Sequence, residues 1–134
     1  MPFDDSNWQE KFKIKKSSKK KAGKGLFAKV KIKKGEHIGY YTGRVLNGKQ
    51  ILKEPYISSS YLMEVTEDYY ILGEGKGSSF ASMINHCKKP NAEIVVSTRW
   101  KTARIRAIKK IKKGEEIFYD YGEEYWDNKG VKPK

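Results

Sequence analysis

The sequence predicts a mainly β domain with short helices, and three patterns support this. Phe12 and Ile14 alternate with lysines, which places both side chains on one face of a strand. Residues 61–65 and 69–72 are rich in tyrosine and aliphatic residues and flank the polar triplet Thr-Glu-Asp, a pattern typical of a hairpin. Residues 32–43 and 111–122 are identical at eight of twelve positions. Each predicts a Lys-Gly turn followed by a strand.

The length of 134 residues is enough for one domain with a modest core. We expect a flexible arm over residues 1–10, the folded domain over residues 11–127 and a flexible tail over residues 128–134. Two further strands are predicted over residues 93–97 and 100–107.

The composition argues against several classes of protein. A single cysteine, Cys87, leaves no internal disulfide, and with only two histidines we expect no metal site. No apolar run approaches the roughly 18 residues that a membrane span needs. The first residues lack the basic and apolar pattern of a secretion signal. We therefore expect a cytoplasmic protein, or a nuclear one if its substrate is chromatin.

The formal net charge of +13 is unevenly distributed. Residues 11–34 contain twelve lysines and no acid, residues 99–113 add eight basic residues, and the acids gather over residues 115–127. Such a surface attracts nucleic acid or acidic protein faces in a salt-dependent way. A lysine-rich solvated surface is an equally open interpretation.

Two motifs indicate a family. Residues 85–91 are Asn-His-Cys-Lys-Lys-Pro-Asn, and residues 114–122 are Gly-Glu-Glu-Ile-Phe-Tyr-Asp-Tyr-Gly. In this order the pair resembles the signatures of the SET-domain protein lysine methyltransferases, although Cys87 and Lys88 depart from the usual serine and cysteine. The resemblance covers roughly residues 12–126, without the cysteine-rich zinc site that many members carry after the core. It implies the SET fold, with small sheets of the β-clip type and a C-terminal pseudoknot.

The resemblance also implies an activity. Members transfer a methyl group from S-adenosylmethionine to a lysine of a protein and release S-adenosylhomocysteine, so we expect a histone or another basic protein as substrate. Two alternatives stay open: a basic module that binds nucleic acid or chromatin without catalysis, and a SET-like domain that only binds protein. A cysteine protease is disfavoured, because the adjacent His86 and Cys87 point to opposite faces of a strand.

Cofactor-binding residues follow from the same resemblance. They lie in the first glycine loop, before the hairpin, in the Asn-His motif and near the end of the chain: Gly23, Lys24, Gly25, Tyr61, Asn85, His86, Tyr125 and Trp126. The glycines would let the backbone approach the methionine end of the cofactor, since a Cβ would restrict the backbone and keep the ligand away. Trp126, with Tyr125, is the candidate for stacking on the adenine.

Three tyrosines are implied to carry the chemistry. Tyr121 is the expected catalytic residue and Tyr41 its partner across the target-lysine pocket. Tyr119 stands two residues before Tyr121, so on a strand both rings point to the same face. Tyr119 occupies the family's Phe/Tyr switch position, where a tyrosine leaves less room for added methyl groups. We therefore expect monomethylation to be favoured.

Overall fold

The computed structural model describes residues 3–19, 22–59 and 61–121. Ten strands form within these residues: β1 (Phe12–Lys16), β2 (Lys24–Ala28), β3 (His37–Tyr40), β4 (Arg44–Leu46), β5 (Leu62–Thr66), β6 (Tyr69–Leu72), β7 (Asn85–His86), β8 (Ala92–Ser97), β9 (Thr102–Ala107) and β10 (Phe118–Tyr119). Short 3₁₀ helices span Trp8–Glu10, Gln50–Leu52, Tyr56–Ser58 and Phe80–Met83. The prediction of a mainly β fold with short helices is confirmed.

The strands make four small sheets in the described part of the chain. Two have three antiparallel strands, in the orders β3-β9-β8 and β4-β6-β5. The predicted hairpins are β5–β6 and β8–β9. A third sheet is the antiparallel pair β1–β2, and the fourth is the parallel pair β7–β10. This parallel pair joins the two sequence motifs, although they lie about 30 residues apart in the chain.

The two similar turn-strand units contact each other where they begin. Ile32 and Ile111 form an antiparallel bridge, with backbone N–H to carbonyl distances of 2.8 and 2.9 Å. The turn that follows each isoleucine has a glycine at positive φ, +85° at Gly35 and +90° at Gly114. Only glycine adopts this conformation without strain, which explains why both turns carry it. The repeat therefore marks two related corners that close on one core.

The main core lies between these corners and the three-stranded β3-β9-β8 sheet. It contains Phe12, Leu26, Ala28, Ile32, Ile38, Phe80, Ala81, Ile84, Ala92, Ile105, Ala107, Ile111, Ile117 and Tyr119. A smaller cluster of Tyr41, Val65, Ile71 and Ala103 packs between the two three-stranded sheets. Near the beginning of the chain, Trp8 stacks on Phe80 at 4.5 Å between ring centroids and Phe3 stacks on His37 at 4.1 Å. The aromatic residues of the expected arm thus contact the domain.

Some local features differ from the sequence pattern. Phe12 is buried as expected, whereas Ile14 on the same face is 36% exposed, although its partner Leu26 in β2 is fully buried. β4 falls within a stretch that shows no clear strand pattern. No helix in the described residues is long and apolar enough to cross a membrane, and no group of three or more His, Cys, Asp or Glu there is placed to hold a metal ion.

Candidate active site

The two sequence motifs pair residue by residue. Asn85 lies opposite Phe118 and His86 opposite Tyr119 in the parallel β7–β10 ladder. Asn91 closes the far end of the first motif. Its Nδ2 donates to the carbonyl of Glu116 at 2.9 Å, and its Oδ1 accepts the N–H of Phe118 at 2.8 Å. Asn85 and Asn91, the first and last residues of the first motif, therefore both hold the second motif in position.

A buried carboxylate joins three segments of chain. Glu116 is 6% exposed and accepts hydrogen bonds from the Ser17 hydroxyl at 2.7 Å, and from the Ser18 backbone N–H and hydroxyl at 2.8 and 2.7 Å. The side-chain amide of Asn85 donates to the same carboxylate at 3.2 Å. A buried charge is tolerated when several donors satisfy it, as here. We call these four residues, Ser17, Ser18, Asn85 and Glu116, the Glu116 cluster.

The first glycine loop lies directly on this cluster. A Cβ at Gly25 would collide with the Glu116 carboxylate and lie 3.1 Å from Nδ2 of Asn85. Gly23 has φ +72°, with open space on the side where a Cβ would stand. Lys24 contributes its carbonyl, which accepts from Nδ2 of Asn85 at 2.9 Å. Gly25 is thus required for the close contact, and Gly23 for the turn.

Five tyrosines line a cleft of about 630 Å³ on the other side of β7 and β10. We call it the tyrosine cleft, and its lining residues are Tyr41, Ile51, Leu52, Ile57, Ser59, Tyr61, Leu62, Met63, Glu64, Tyr70, Ser82, Ile84, Ile94, Tyr119, Asp120 and Tyr121. The Tyr121 hydroxyl donates to the carbonyl of Ile84 at 2.8 Å, and its ring lies 4.9 Å from that of Tyr119. The Tyr41 hydroxyl donates to the carbonyl of Tyr61 at 2.6 Å. These bonds fix the hydroxyls of Tyr121 and Tyr41 in the wall.

His86 connects β7 to the tyrosine cleft. The residue is 1% exposed, and its Nδ1 accepts the backbone N–H of Tyr121 at 3.0 Å. Burial lowers the pKa of His86. The Asp120 carboxylate acts to raise this pKa, whereas the charges of Lys19 and Lys88 lower it further. An Nδ1 that accepts a hydrogen bond belongs to the neutral ring, with its proton on Nε2. His86 is therefore a neutral acceptor that positions Tyr121.

The predicted site residues fall into two groups. Tyr41, Tyr61, Tyr119 and Tyr121 all line the tyrosine cleft, whereas Gly25 and Asn85 contact Glu116. Lys24 joins the second group through its bond to Asn85, and Gly23 through the bond of its carbonyl to the Ser17 N–H. His86 links the two groups through Tyr121. Tyr125 and Trp126 lie outside the described residues.

Sequence analysis missed Glu116. The only available signal was a second acid directly after Glu115 in a turn, a position where acids are usually solvated. The residues that bury Glu116 stand almost a hundred positions earlier in the chain. Ser17 and Ser18 were also missed, because they occur in a lysine-rich stretch that resembles a solvated connector.

Comparison with known proteins identifies the family. The SET domain family model matches residues 23–122. The variant-silencing SET domain-containing protein of Plasmodium falciparum is 36% identical over 135 residues, covering 90% of this chain and 5% of that protein. Histone-lysine N-methyltransferase EZA1 of Arabidopsis thaliana is 32% identical over 106 residues, covering 75% of this chain and 12% of that protein.

Solved structures agree with this assignment. A humanized mutant of the Chaetomium thermophilum Polycomb Repressive Complex 2, bound to the inhibitor GSK126, matches with a TM-score of 0.73 and 28% identity, over 83% of this chain and 15% of that chain. The ctPRC2 structure in an autoinhibited conformation bound to S-adenosylmethionine matches with a TM-score of 0.72 and 28% identity, over 84% and 15% of the two chains. The chain belongs to the SET-domain family. It spans 5% to 15% of the length of these relatives.

Replacing Glu116 by glutamine should destabilise the fold. The new NH₂ group would face the donors of Ser17, Ser18 and Asn85, so we expect a loss of about 2–3 kcal/mol in the free energy of unfolding, measured by chemical denaturation. Glu115→Gln is the matched control. Its exposed side chain keeps an oxygen for the Lys112 N–H, so a change below about 0.5 kcal/mol is expected. Equal losses in the two variants would contradict this account of the cluster.

The lowered pKa of His86 predicts loss of stability in acid. The unfolded chain binds a proton near pH 6.5, whereas the folded chain resists protonation, so the free energy of unfolding should fall as the pH drops below about 6.5. His37 has a lowered pKa as well and contributes in the same direction. Denaturation of wild type and His86→Asn at pH 7.5 and 5.5 tests this. The pH dependence should be smaller in the variant, and an unchanged dependence would exclude His86 as a source.

Proposed function

We propose that the chain is the catalytic domain of a protein lysine N-methyltransferase that uses S-adenosylmethionine. The observation that carries this proposal is the parallel β7–β10 pair, which places the Glu116 cluster on one side and the tyrosine cleft on the other. Relatives named histone-lysine N-methyltransferase support the activity, and a structural neighbour bound to S-adenosylmethionine supports the cofactor.

The cofactor would lie beside the first glycine loop. Nδ2 of Asn85 donates to the Lys24 carbonyl and to Glu116, and among the described residues no donor approaches its Oδ1. That oxygen therefore suits an ammonium group such as the one at the methionine end of the cofactor. The open space beside Gly23 fits a ligand that contacts backbone. Gly23, Lys24, Gly25, Asn85 and His86 are the proposed contacts, while contributions of Tyr61, Tyr125 and Trp126 stay predictions.

The reaction is an in-line displacement, which needs alignment, exclusion of water and an uncharged amine. S-adenosylmethionine supplies the activated methyl group and leaves as S-adenosylhomocysteine. Deprotonating a free lysine at pH 7 costs roughly 4–5 kcal/mol, given a reference pKa of about 10.4. An aromatic cleft lowers this cost by disfavouring the charged amine. In this mechanism Tyr121 and Tyr41 would orient the amine from opposite walls, and His86 would hold Tyr121 in place.

The proposed substrate is a histone or another basic protein, and the site of action is nuclear if the substrate is chromatin. Nucleic acid is a second candidate partner. At the β8–β9 turn Trp100 is 70% exposed, and the Arg99 guanidinium lies 5.0 Å from its ring. Exposed aromatic and basic side chains together suit stacking on bases next to phosphates.

Tyr121→Phe tests the proposed activity. Loss of one positioned hydroxyl should lower kcat/KM for methyl transfer about 100-fold, measured with labelled S-adenosylmethionine and a panel of histones. Tyr69→Phe is the matched control, because Tyr69 lies outside the tyrosine cleft and keeps its ring contact with Lys101.

Absence of both transfer and cofactor binding in the wild type would overturn this proposed activity. If oligonucleotides then bound with a steep salt dependence that Tyr121→Phe left unchanged, the non-catalytic basic module would be the better description.

Tyr119→Phe tests the proposed product. Tyr119 is buried and its ring contacts that of Tyr121, so in the proposed mechanism its hydroxyl would limit the room beside the amine. The wild type should produce mainly monomethyl-lysine, and removing the Tyr119 hydroxyl should shift the product towards dimethyl- and trimethyl-lysine. Mass spectrometry of a single-lysine peptide measures both. Mainly trimethylated product from the wild type would show that the Tyr119 hydroxyl does not limit methylation.

A further inference from the structure

The first residues that the structure describes cross the free edge of β3. Within the described residues, β3 pairs with β9 on one side and with no strand on the other. Just after β3, the backbone N–H of Tyr41 donates to the carbonyl of Ala103 in β9 at 2.7 Å. Successive N–H groups of a strand point to opposite sides, which leaves the N–H of Tyr40 on the free edge. Such an N–H needs an acceptor from elsewhere in the chain or from water.

Asp5 supplies this acceptor. Its Oδ2 accepts the N–H of Tyr40 at 2.8 Å, and its Oδ1 accepts from Nε2 of His37 at 2.9 Å. Nδ1 of His37 in turn accepts from the Arg104 guanidinium at 3.3 Å, which places the single ring proton on Nε2. Phe3 stacks on the same imidazole. The Asp5 carboxylate thus holds both ends of β3, its first residue His37 and its last residue Tyr40.

The end of β3 is held at two more points. The Ser79 hydroxyl donates to the carbonyl of Tyr40 at 2.6 Å, and the same side chain caps the short helix that begins at Phe80. The Phe80 ring lies so close to Gly39 that a Cβ there would collide with it. Trp8, three residues after the aspartate that binds β3, stacks on this ring. The beginning of the described chain therefore holds β3 directly through a carboxylate and indirectly through stacked rings.

Tyr41, which lines the tyrosine cleft, directly follows Tyr40 in the chain. Its ring lies against Gly73, where a Cβ would collide with it, and its hydroxyl donates to the Tyr61 carbonyl. We propose that Asp5 is a positioning residue for methyl transfer, because it fixes the end of β3 from which Tyr41 enters the cleft. This inference rests on the proposed function and adds a role for a residue outside the cleft. A misplacement of about 1 Å can lower a rate about 100-fold, so a small shift of Tyr41 is enough.

Asp5→Ala tests this role. Without the carboxylate the edge of β3 loses both bonds, so the single-turnover rate of methyl transfer from labelled S-adenosylmethionine to core histones should fall about 10-fold. The proposed cofactor contacts Gly25 and Asn85 lie on β2 and β7, away from this edge. The Kd for S-adenosylmethionine and the number of binding sites, measured by calorimetry, should therefore stay within about two-fold of the wild type.

Two companion variants show which bond matters. Asp4→Ala is the matched control, because Asp4 is exposed and accepts the N–H of Ser6, so its rate should stay within about two-fold of the wild type. Asp5→Asn keeps an oxygen for the Tyr40 N–H and should recover most of the rate that Asp5→Ala loses. A wild-type rate in Asp5→Ala, an equal loss in Asp4→Ala, or no recovery in Asp5→Asn would each overturn the inference. Absence of transfer by the wild type would overturn the proposed function, and the inference with it.

Asp5→Ala in a Tyr41→Phe background separates positioning from a general loss of folded enzyme. If Asp5 acts through the Tyr41 hydroxyl, a chain that already lacks this hydroxyl should lose less than about two-fold when Asp5 is replaced. In a Tyr69→Phe background, which leaves the tyrosine cleft unchanged, the loss of about 10-fold should remain. Equal losses in the two backgrounds, or a loss matched by fewer cofactor-binding sites, would leave Asp5 a structural role only and overturn the inference.

Discussion

The buried Glu116 carboxylate is the constraint that organises the site. Removing a carboxylate from water costs several kcal/mol unless donors replace the water, and here Ser17, Ser18 and Asn85 supply four hydrogen bonds. These donors come from two other parts of the chain, so satisfying one charge brings three segments together. The close approach also requires Gly25, whose missing side chain leaves room for the carboxylate. The Glu116 cluster therefore holds β7 in position through Asn85.

The two-residue strands β7 and β10 divide the site into two compartments. Side chains alternate along a strand, so Asn85 points to Glu116 while His86 points to Tyr121. Tyr119, opposite His86 in the ladder, joins the tyrosine side. A change in register by one residue would exchange the two sides and bring an imidazole to Glu116. The bonds of Asn91 to both ends of residues 116–118 oppose that change.

Sequence patterns predicted the strands that form between residues close together in the chain. The β5–β6 and β8–β9 hairpins were predicted from strand-forming residues around polar turns, whereas the pairing of the two motifs as parallel strands was not predicted. β4 was not predicted, because three residues are too few for alternation and its position depends on pairing with β6. Glu116 was not predicted either, since its burial depends on serines almost a hundred residues away. The family resemblance thus pointed to tyrosines that line one cleft, but not to the carboxylate that positions the first glycine loop.

The distribution of charge adds a second constraint. A net charge of +13 repels a basic peptide at long range, and salt limits that repulsion to about 8–10 Å. Within this distance the nearest groups dominate, and in the tyrosine cleft these are Glu64 and Asp120. A lysine placed among the tyrosines would occupy the space that the target amine takes in the proposed mechanism. Among the described residues, the lining of the cleft contains no lysine or arginine, so the space between its tyrosines is left for the target amine of the proposed reaction.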